Sequence, residues 1–373
     1  MDTVELLPDP SSGGRDRDLQ LARDLQLAIA DYAPGAQVVA DGKLFTSRYI
    51  RKSPGKNVNL SWEIGYYCKE CPSCGQPNFT KEPIYKSREC VSCHSPISRL
   101  RWAKTLEPRM GFCADVTRRD EPVPMHRPEH DYKTDDAYIG DPHRNLLQER
   151  EFTVNGGIVR IASTTNDALV VVGQTRFHVC PACGYADAVA VPNEHKNMRG
   201  YPCINKEGKS SEYQLSHDFR TDVARITFLD EAADDLNTML SVLYAMLEGL
   251  SREMGIERTD IKGCLFRTSE QGMPLYSLIL YDAVAGGAGH VRRLVTEDGA
   301  DFQRVLRRAH CIVYQCDCGS SCYKCLRNYY NQKIHDDLDR VKAATFLERW
   351  IGDMEKTDRR EAPAPTCDDG LSF

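Results

Sequence analysis

The chain has 373 residues, 41% of them hydrophobic and 27% charged, with a net charge of −6; these are the values of an ordinary globular protein long enough for two or three cores. The acidic balance excludes bulk coating of nucleic acid, so any contact with a polyanion must use a local patch. No apolar run approaches the roughly 18 residues of a membrane span, the start MDTVELLPDP lacks a basic-then-apolar leader, and the 16 cysteines fall largely in short pairs, which points to metal sites in a reducing cytoplasm rather than disulfides.

In chain order, residues 1–14 are rich in Pro, Gly and Ser and read as disordered. The hexapeptide RDLQLA then occurs twice in succession, at 17–22 and 23–28, in a pattern that sets Leu21, Leu25, Ala28 and Tyr32 on one helical face. Pro34-Gly35 ends that helix, and the residues around Asp41-Gly42 predict a hairpin returning through Leu44 and Phe45. Cys71-Pro-Ser-Cys74 and Cys90-Val-Ser-Cys93 follow, separated by 15 residues. This is the arrangement of a zinc ribbon, in which two hairpin tips face each other across one metal. Cys68 forms a second C-x-x-C with Cys71 and competes with Cys74 as a ligand, although the Pro-x-Cys-Gly knuckle favours Cys71 and Cys74.

Residues 114–150, with Pro122, Pro124, Pro128 and Pro142, read as a connector in which His126, His130 and His143 are solvated. Two or three strands are expected between Phe152 and Val179, leading directly into a second knuckle, Cys180-Pro-Ala-Cys183-Gly. Cys203 supplies a third ligand, and the fourth is either His195 or His217, since zinc accepts imidazole as readily as thiolate. His195, in the same loop as Cys203, is preferred. A strand at 223–228 precedes the most periodic helix, 231–253, with Leu236, Met239, Leu240, Leu243, Tyr244 and Leu247 as its apolar face. Strands are expected at 264–267 and 275–282, helices at 301–312 and 337–351, and a disordered acidic tail after Lys356 that includes Cys367.

Three short motifs bear on nucleotide chemistry. Gly208-Lys209-Ser210 resembles the end of a phosphate-binding loop, but Cys203 stands where the first glycine belongs and no strand leads into it. Asp230-Glu231 ends a strand as a helicase acid pair would, yet acids in the first turn of the next helix explain it. The glycine-rich stretch 285–289, leading into a helix with His290, Arg292 and Arg293, reads equally as an anion site of free N–H groups or as a tight turn needing positive φ.

The densest chemistry is C-terminal. Cys316-x-Cys318 and Cys322-x-x-Cys325 put four thiols on one loop relaxed by Gly319 and two serines, which lets thiolates converge on a tetrahedral zinc at about 2.3 Å. Three separate four-ligand sets therefore predict up to three Zn2+ ions. A catalytic zinc keeps an open position, whereas these sets are closed and mostly thiolate, so no catalytic residue is assigned. Near the last set, Arg292, Arg293, Lys324 and Arg327 are candidate DNA contacts, with Tyr329 and Tyr330 available for stacking.

LYDAVAGGAGHVRRL at 280–294 and CDCGSSCYKCLRNYYNQKIHDDLDR at 316–340 resemble the zinc-binding domain of MrfA-type helicases, which occurs at the C-termini of superfamily-two helicases and in the DrmB component of the DISARM phage-defence system. SHDFRTDVARITF at 216–228 and DYAPGAQVVADGKLF at 31–45 are similar to segments between motor and zinc domain in those helicases, so the resemblance covers residues 15–355 without the motor domains. It implies zinc binding by Cys316, Cys318, Cys322 and Cys325 and a role beside a motor. The fold expected is α+β: a zinc-ribbon and β-rich N-terminal part, then a mixed α/β C-terminal domain with a four-cysteine zinc loop. Its divisions are 1–62, 63–113 (ribbon), 114–230, 231–355 and 356–373. The function expected is a cytoplasmic, non-catalytic zinc protein that works on DNA with a separately encoded helicase, away from membranes, in repair or phage defence. The alternatives are a zinc-dependent nuclease or hydrolase, and a fragment of a split helicase gene.

Overall fold

The computed structural model describes residues 2–8, 19–52, 62, 64–82, 88–99, 101–118, 123, 132–140, 148–270, 272–353 and 355–356. The expectations for His126, His130, His143, Cys367 and the acidic tail lie outside these residues.

The start of the chain is a strand where irregular chain was expected: Thr3–Leu7 (β1) pairs antiparallel with Ala22–Asp24 (β2). The described residues of the two RDLQLA copies do not form one continuous helix. In the first, Leu21 directly precedes β2 and its carbonyl accepts from the Leu6 N–H at 2.9 Å. The second turns helical only after Asp24, whose carboxylate accepts from the Gln26 N–H at 2.9 Å and so caps a short helix, Leu25–Asp31 (α1). Gln37–Ala40 (β3) and Lys43–Ile50 (β4) form the expected hairpin, with Asp41 and Gly42 at φ +48° and +68° as its two-residue turn.

The ribbon region contains Tyr67–Glu70 (β5), Pro77–Thr80 (β6), Arg88–Glu89 (β7), Pro96–Ile97 (β8) and Ala103–Leu106 (β9). Phe112–Ala114 (β10) then inserts between β1 and β4 to complete a five-stranded sheet in the order β2-β1-β10-β4-β3. The stretch expected to be connector contributes Thr134–Tyr138 (β11) and the start of Gln148–Val154 (β12).

Gly157–Val179 (β13), of 23 residues, and Ser211–Leu229 (β15), of 19, pair antiparallel along most of their length, with the two-residue Ala186–Asp187 (β14) beside β13. The ladder is interrupted between Thr164 and Asp167 and between Val172 and Arg176, irregularities of the kind that bend a strand and raise its twist. Ile261–Glu270 (β16) and Met273–Asp282 (β17) form a hairpin docked on β15, and Glu355–Lys356 (β18) joins β12, which completes an eleven-stranded sheet.

One end of the β13–β15 ladder supplies Val159, Ile161, Ala224, Ile226 and Phe228 to a core closed by Leu236–Met254 (α2), Ala300–Tyr314 (α3) and Arg340–Glu348 (α4). The other end supplies Leu169, Val171, Phe177, Val179, Tyr213 and Leu215 to a second core shared with α1 and the five-stranded sheet. Helix α2 starts five residues later than the periodicity suggested, because Glu231–Asp234 is a 3-10 turn and Asp235 is the cap. Leu236 is 45% exposed, while Val242, Ala245 and Met246 on the other face are buried. The helix is covered on both sides, by β16 and by α3 and α4. After the glycine-rich stretch only a 3-10 turn, Val291–Leu294, forms in place of the expected helix. Among the described residues no helix is long and apolar enough to cross a membrane.

Candidate metal centres

Three groups of side chains bring one ligand atom each to within 4.8 Å of one another: Cys71, Cys74, Cys90 and Cys93; Cys180, Cys183, His195 and Cys203; and Cys316, Cys318, Cys322 and Cys325. Four sulfurs at about 2.3 Å from a tetrahedral zinc lie about 3.8 Å apart. The Sγ pairs Cys71–Cys93 and Cys74–Cys90 are 3.7 and 3.6 Å apart, Cys180–Cys203 3.9 Å, and Cys316–Cys322, Cys318–Cys325 and Cys322–Cys325 3.6, 3.7 and 3.8 Å. The donor sets and spacings fit zinc, and each group supplies four protein donors.

The first three knuckles share one backbone device. The Cys71, Cys90 and Cys180 carbonyls accept from the N–H four residues on, and their own N–H groups donate to the carbonyl five residues on. The fourth residue must then take positive φ: Gly75 at +76°, His94 at +57° and Gly184 at +79°. At Gly184 a Cβ would also lie 2.0 Å from the Ile50 carbonyl oxygen, so glycine alone fits there. Amides aimed at sulfur complete the turns. The N–H groups of Ser92, Tyr185, Asn205 and Lys324 lie 3.4 to 3.5 Å from the Sγ two residues earlier. The amides of Asn78 and Asn205 donate to Cys90 and Cys180 at 3.6 and 3.2 Å. Such donors stabilise thiolate and orient it. Sequence reasoning missed both asparagines; the Cys203-x-Asn205 spacing was the available signal for the second.

The structure brings His195, not His217, to the second group. His195 Nε2 is 3.3 Å from Cys183 Sγ, and its Nδ1 sits 2.8 Å from the Pro192 carbonyl, which leaves Nε2 free for metal. His217 lies on β15 with Nδ1 2.7 Å from Glu107 Oε1. Cys68 lies on β5 outside the first group, and burial pushes its thiol up to about 11, so it stays protonated at neutral pH.

Each group is fastened to a different part of the fold. Gln76 Oε1, beside the first knuckle, accepts from the Arg267 N–H of β16 at 2.8 Å. The second knuckle is seated on β4, with the Ile50 N–H donating to the Gly184 carbonyl at 2.9 Å and Tyr49 bridged to Tyr185. The third is strapped by Arg340, whose Nε donates to the Cys318 carbonyl at 2.6 Å and whose N–H donates to the Ser320 carbonyl at 2.7 Å.

The motifs suggestive of nucleotide chemistry have structural roles. Gly208-Lys209-Ser210 is a turn held by Asn205 through the Lys209 N–H and carbonyl, and it enters a strand where a phosphate loop would enter a helix. Asp230 caps the 3-10 turn through the Ala232 N–H at 2.8 Å and pairs with Arg349 at 2.8 Å. The glycine-rich stretch is not an open anion cradle. The fully buried Asp282 carboxylate takes the N–H groups of Ala288, His290 and Val291 at 2.6, 3.1 and 3.1 Å, and a Cβ on Gly287 would lie 2.4 Å from the Asp222 side chain.

The candidate DNA contacts fall into two groups. Arg292 and Arg293 are exposed on the 3-10 turn before α3, with Arg292 3.6 Å from the buried Asp222 carboxylate. Lys324 is exposed on the zinc loop after α3, a helix whose 15 residues span about 22 Å. Arg327 turns inward, donating to Ser321 Oγ at 2.8 Å and the His335 carbonyl at 3.4 Å, and so braces the loop. Tyr323, Tyr329 and Tyr330 stand exposed around it.

Residues 242–326, which include all four cysteines of the third group, match the family described as the MrfA Zn-binding domain. A curated relative, the Druantia protein DruE of Escherichia coli (strain UMEA 4076-1), is 25% identical over 88% of this chain and 19% of its own length. The chain thus spans about a fifth of that relative. Two solved structures are similar: the DUF1998 helicase MrfA bound to DNA, with a TM-score of 0.33 and 12% identity over 78% of this chain and 30% of that one, and the same helicase bound to DNA and AMPPNP, with a TM-score of 0.27 and 11% identity over 77% of this chain and 27% of that one.

Proposed function

We propose that this chain, which carries a zinc-binding domain of the MrfA type, is a non-catalytic module stabilised by three zinc ions that acts on DNA with a superfamily-two motor on a separate polypeptide, in DNA repair or phage defence. The observation that carries this reading is the closure of the metal centres. Each group offers four protein donors at tetrahedral spacing, which leaves no position for the water or substrate that a zinc hydrolase must bind. The ligands in this reading are the twelve residues of the three groups, and Arg292, Arg293 and Lys324 are DNA contacts. Support for this reading comes from the match of residues 242–326 to the MrfA Zn-binding domain and from the similarity to a Druantia protein.

The purified chain should hold three zinc ions by elemental analysis. Cys74→Ser and His195→Ala should each hold two, whereas Cys68→Ser and His217→Ala should keep three. It should hydrolyse no ATP with or without DNA, and Lys209→Ala should change nothing. DNA-stimulated turnover lost in Lys209→Ala, or zinc-dependent DNA cleavage, would overturn the non-catalytic reading. Affinity purification of the chain from its own cells should retain a protein with superfamily-two motor motifs, and failure to retain one removes the partner.

A further inference from the structure

The two strands β9 and β15 are parallel neighbours at only two positions, Thr105 with Gln214 and Leu106 with Leu215. Before that point they part. β9 follows β5, pairing Lys104 with Tyr67 and Ala103 with Cys68, while the start of β15 stays with β13. The fork encloses an open cleft of about 430 Å³ at the junction of the zinc ribbon and the long sheet. Arg101 and Lys104 line one wall and Arg176 the other. All three are exposed, and among the described residues no carboxylate pairs with any of them. The acid on the lining, Glu212, lies 3.6 Å from His178 Nε2. Among the described residues the lining thus sets three cations against one carboxylate, a surplus of positive charge in a chain of net charge −6, which makes a local field that attracts a polyanion.

The backbone of the ribbon-side wall is fixed by packing and pairing. Trp102 is 8% exposed, packs with Cys71, Cys90 and Ile97 of the ribbon, and donates from its indole nitrogen to the Ser98 carbonyl at 2.8 Å. Arg101 beside it takes φ +63°, and Lys104 is fixed by the β5–β9 ladder. The first metal centre therefore sets the wall of the cleft. Both large aromatics on the lining, Trp102 and Tyr213, are buried, so no ring is free to stack on a base and recognition falls to charge.

We propose that this cleft binds the phosphodiester backbone of a single nucleic-acid strand, independently of sequence, through Arg101, Lys104 and Arg176. The proposal rests on the DNA reading above and places contacts at a second location, at the ribbon and away from the C-terminal zinc loop. The test is fluorescence anisotropy of the full zinc-loaded chain with a labelled oligothymidine strand across a salt series. Charge reversal in R101E/K104E/R176E should weaken binding at least tenfold, and loss of three contacts should flatten the slope of log affinity against log salt by about 2. The conservative R101K/R176K should retain binding, and the single K104A, at an exposed strand position, should weaken it in the same direction should the triple variant lose zinc. Unchanged affinity in a triple variant with three zinc ions, while R292A/R293A/K324A is weakened, overturns the cleft and leaves the DNA reading standing. No binding by the unaltered chain at low salt overturns both. Cleft-dependent binding of polyglutamate with cleft-independent binding of the strand overturns the proposal in favour of an acidic polypeptide.

Discussion

At the residue scale, Asp282 occupies the place where the glycine-rich stretch leaves room for a phosphate. Its carboxylate accepts three main-chain N–H groups and is fully buried, so the amides that would bind an external anion are neutralised from within. Removing it strands those donors in a dry interior, and a buried donor left unpaired costs about 1–3 kcal/mol. Asp282→Ala should therefore lower unfolding stability by about 3 kcal/mol or more, read as a shift in the urea midpoint, and Asp282→Asn by less because an amide oxygen still accepts. A neutral Asp282→Ala would mean that the stretch does not depend on this carboxylate. The same economy governs Arg327, which the residue type alone offers to DNA and which the fold spends on Ser321 and His335.

At the scale of elements, the starts of α1, α2 and α4 are set by acids one residue outside each helix, whereas α3 starts at Gly299 without a side-chain cap. Asp24, Asp235 and Asp339 accept from the first turns of α1, α2 and α4. The Asp235 carboxyl is held below its ordinary value chiefly by the hydroxyl of Thr238, with the Thr238 N–H and Lys342 adding to this and partial burial opposing it. A depressed carboxyl contributes its stability above the unfolded value of about 3.9 and loses it as the pH falls through the lower folded value. Asp235→Ala should cost about 1 kcal/mol at neutral pH. The difference from the parent should shrink on acidification below about pH 4 in thermal melts. A difference that persists at low pH would remove the carboxylate from the cap.

At the scale of the whole molecule, the third metal centre is continuous with the larger core. Cys325 and Leu326 are buried in the cluster that holds α2, α3 and α4, and Cys316, Cys318 and Cys322 pack against it. Arg340 ties the loop to the start of α4. Closed thiolate sites contribute folding free energy on the order of 10 kcal/mol in small zinc domains. Cys322→Ser should therefore lose one zinc and open the α2–α4 region to limited proteolysis, while the N-terminal sheet, built on the other core, stays protected. A Cys322→Ser protein as resistant as the parent would make the third centre dispensable for folding.

The sequence by itself determined the metal ligands' grouping into short local pairs and the alternation of strands and turns, because a knuckle needs only a few consecutive residues to present two sulfurs. The hairpin at Asp41-Gly42 and the coarse α+β class were legible for the same local reason. Only the tertiary structure decided where the helix begins within the repeat, since the pairing of β1 with β2 holds Ala22–Asp24 extended and Asp24 then caps the helix that follows. It also chose His195 over His217, joined residues far apart in the chain into the β9–β15 fork, and filled the glycine-rich stretch with Asp282. These outcomes depend on which distant groups meet, and on burial making an unpaired charge or amide too costly to leave, neither of which a single window of sequence contains.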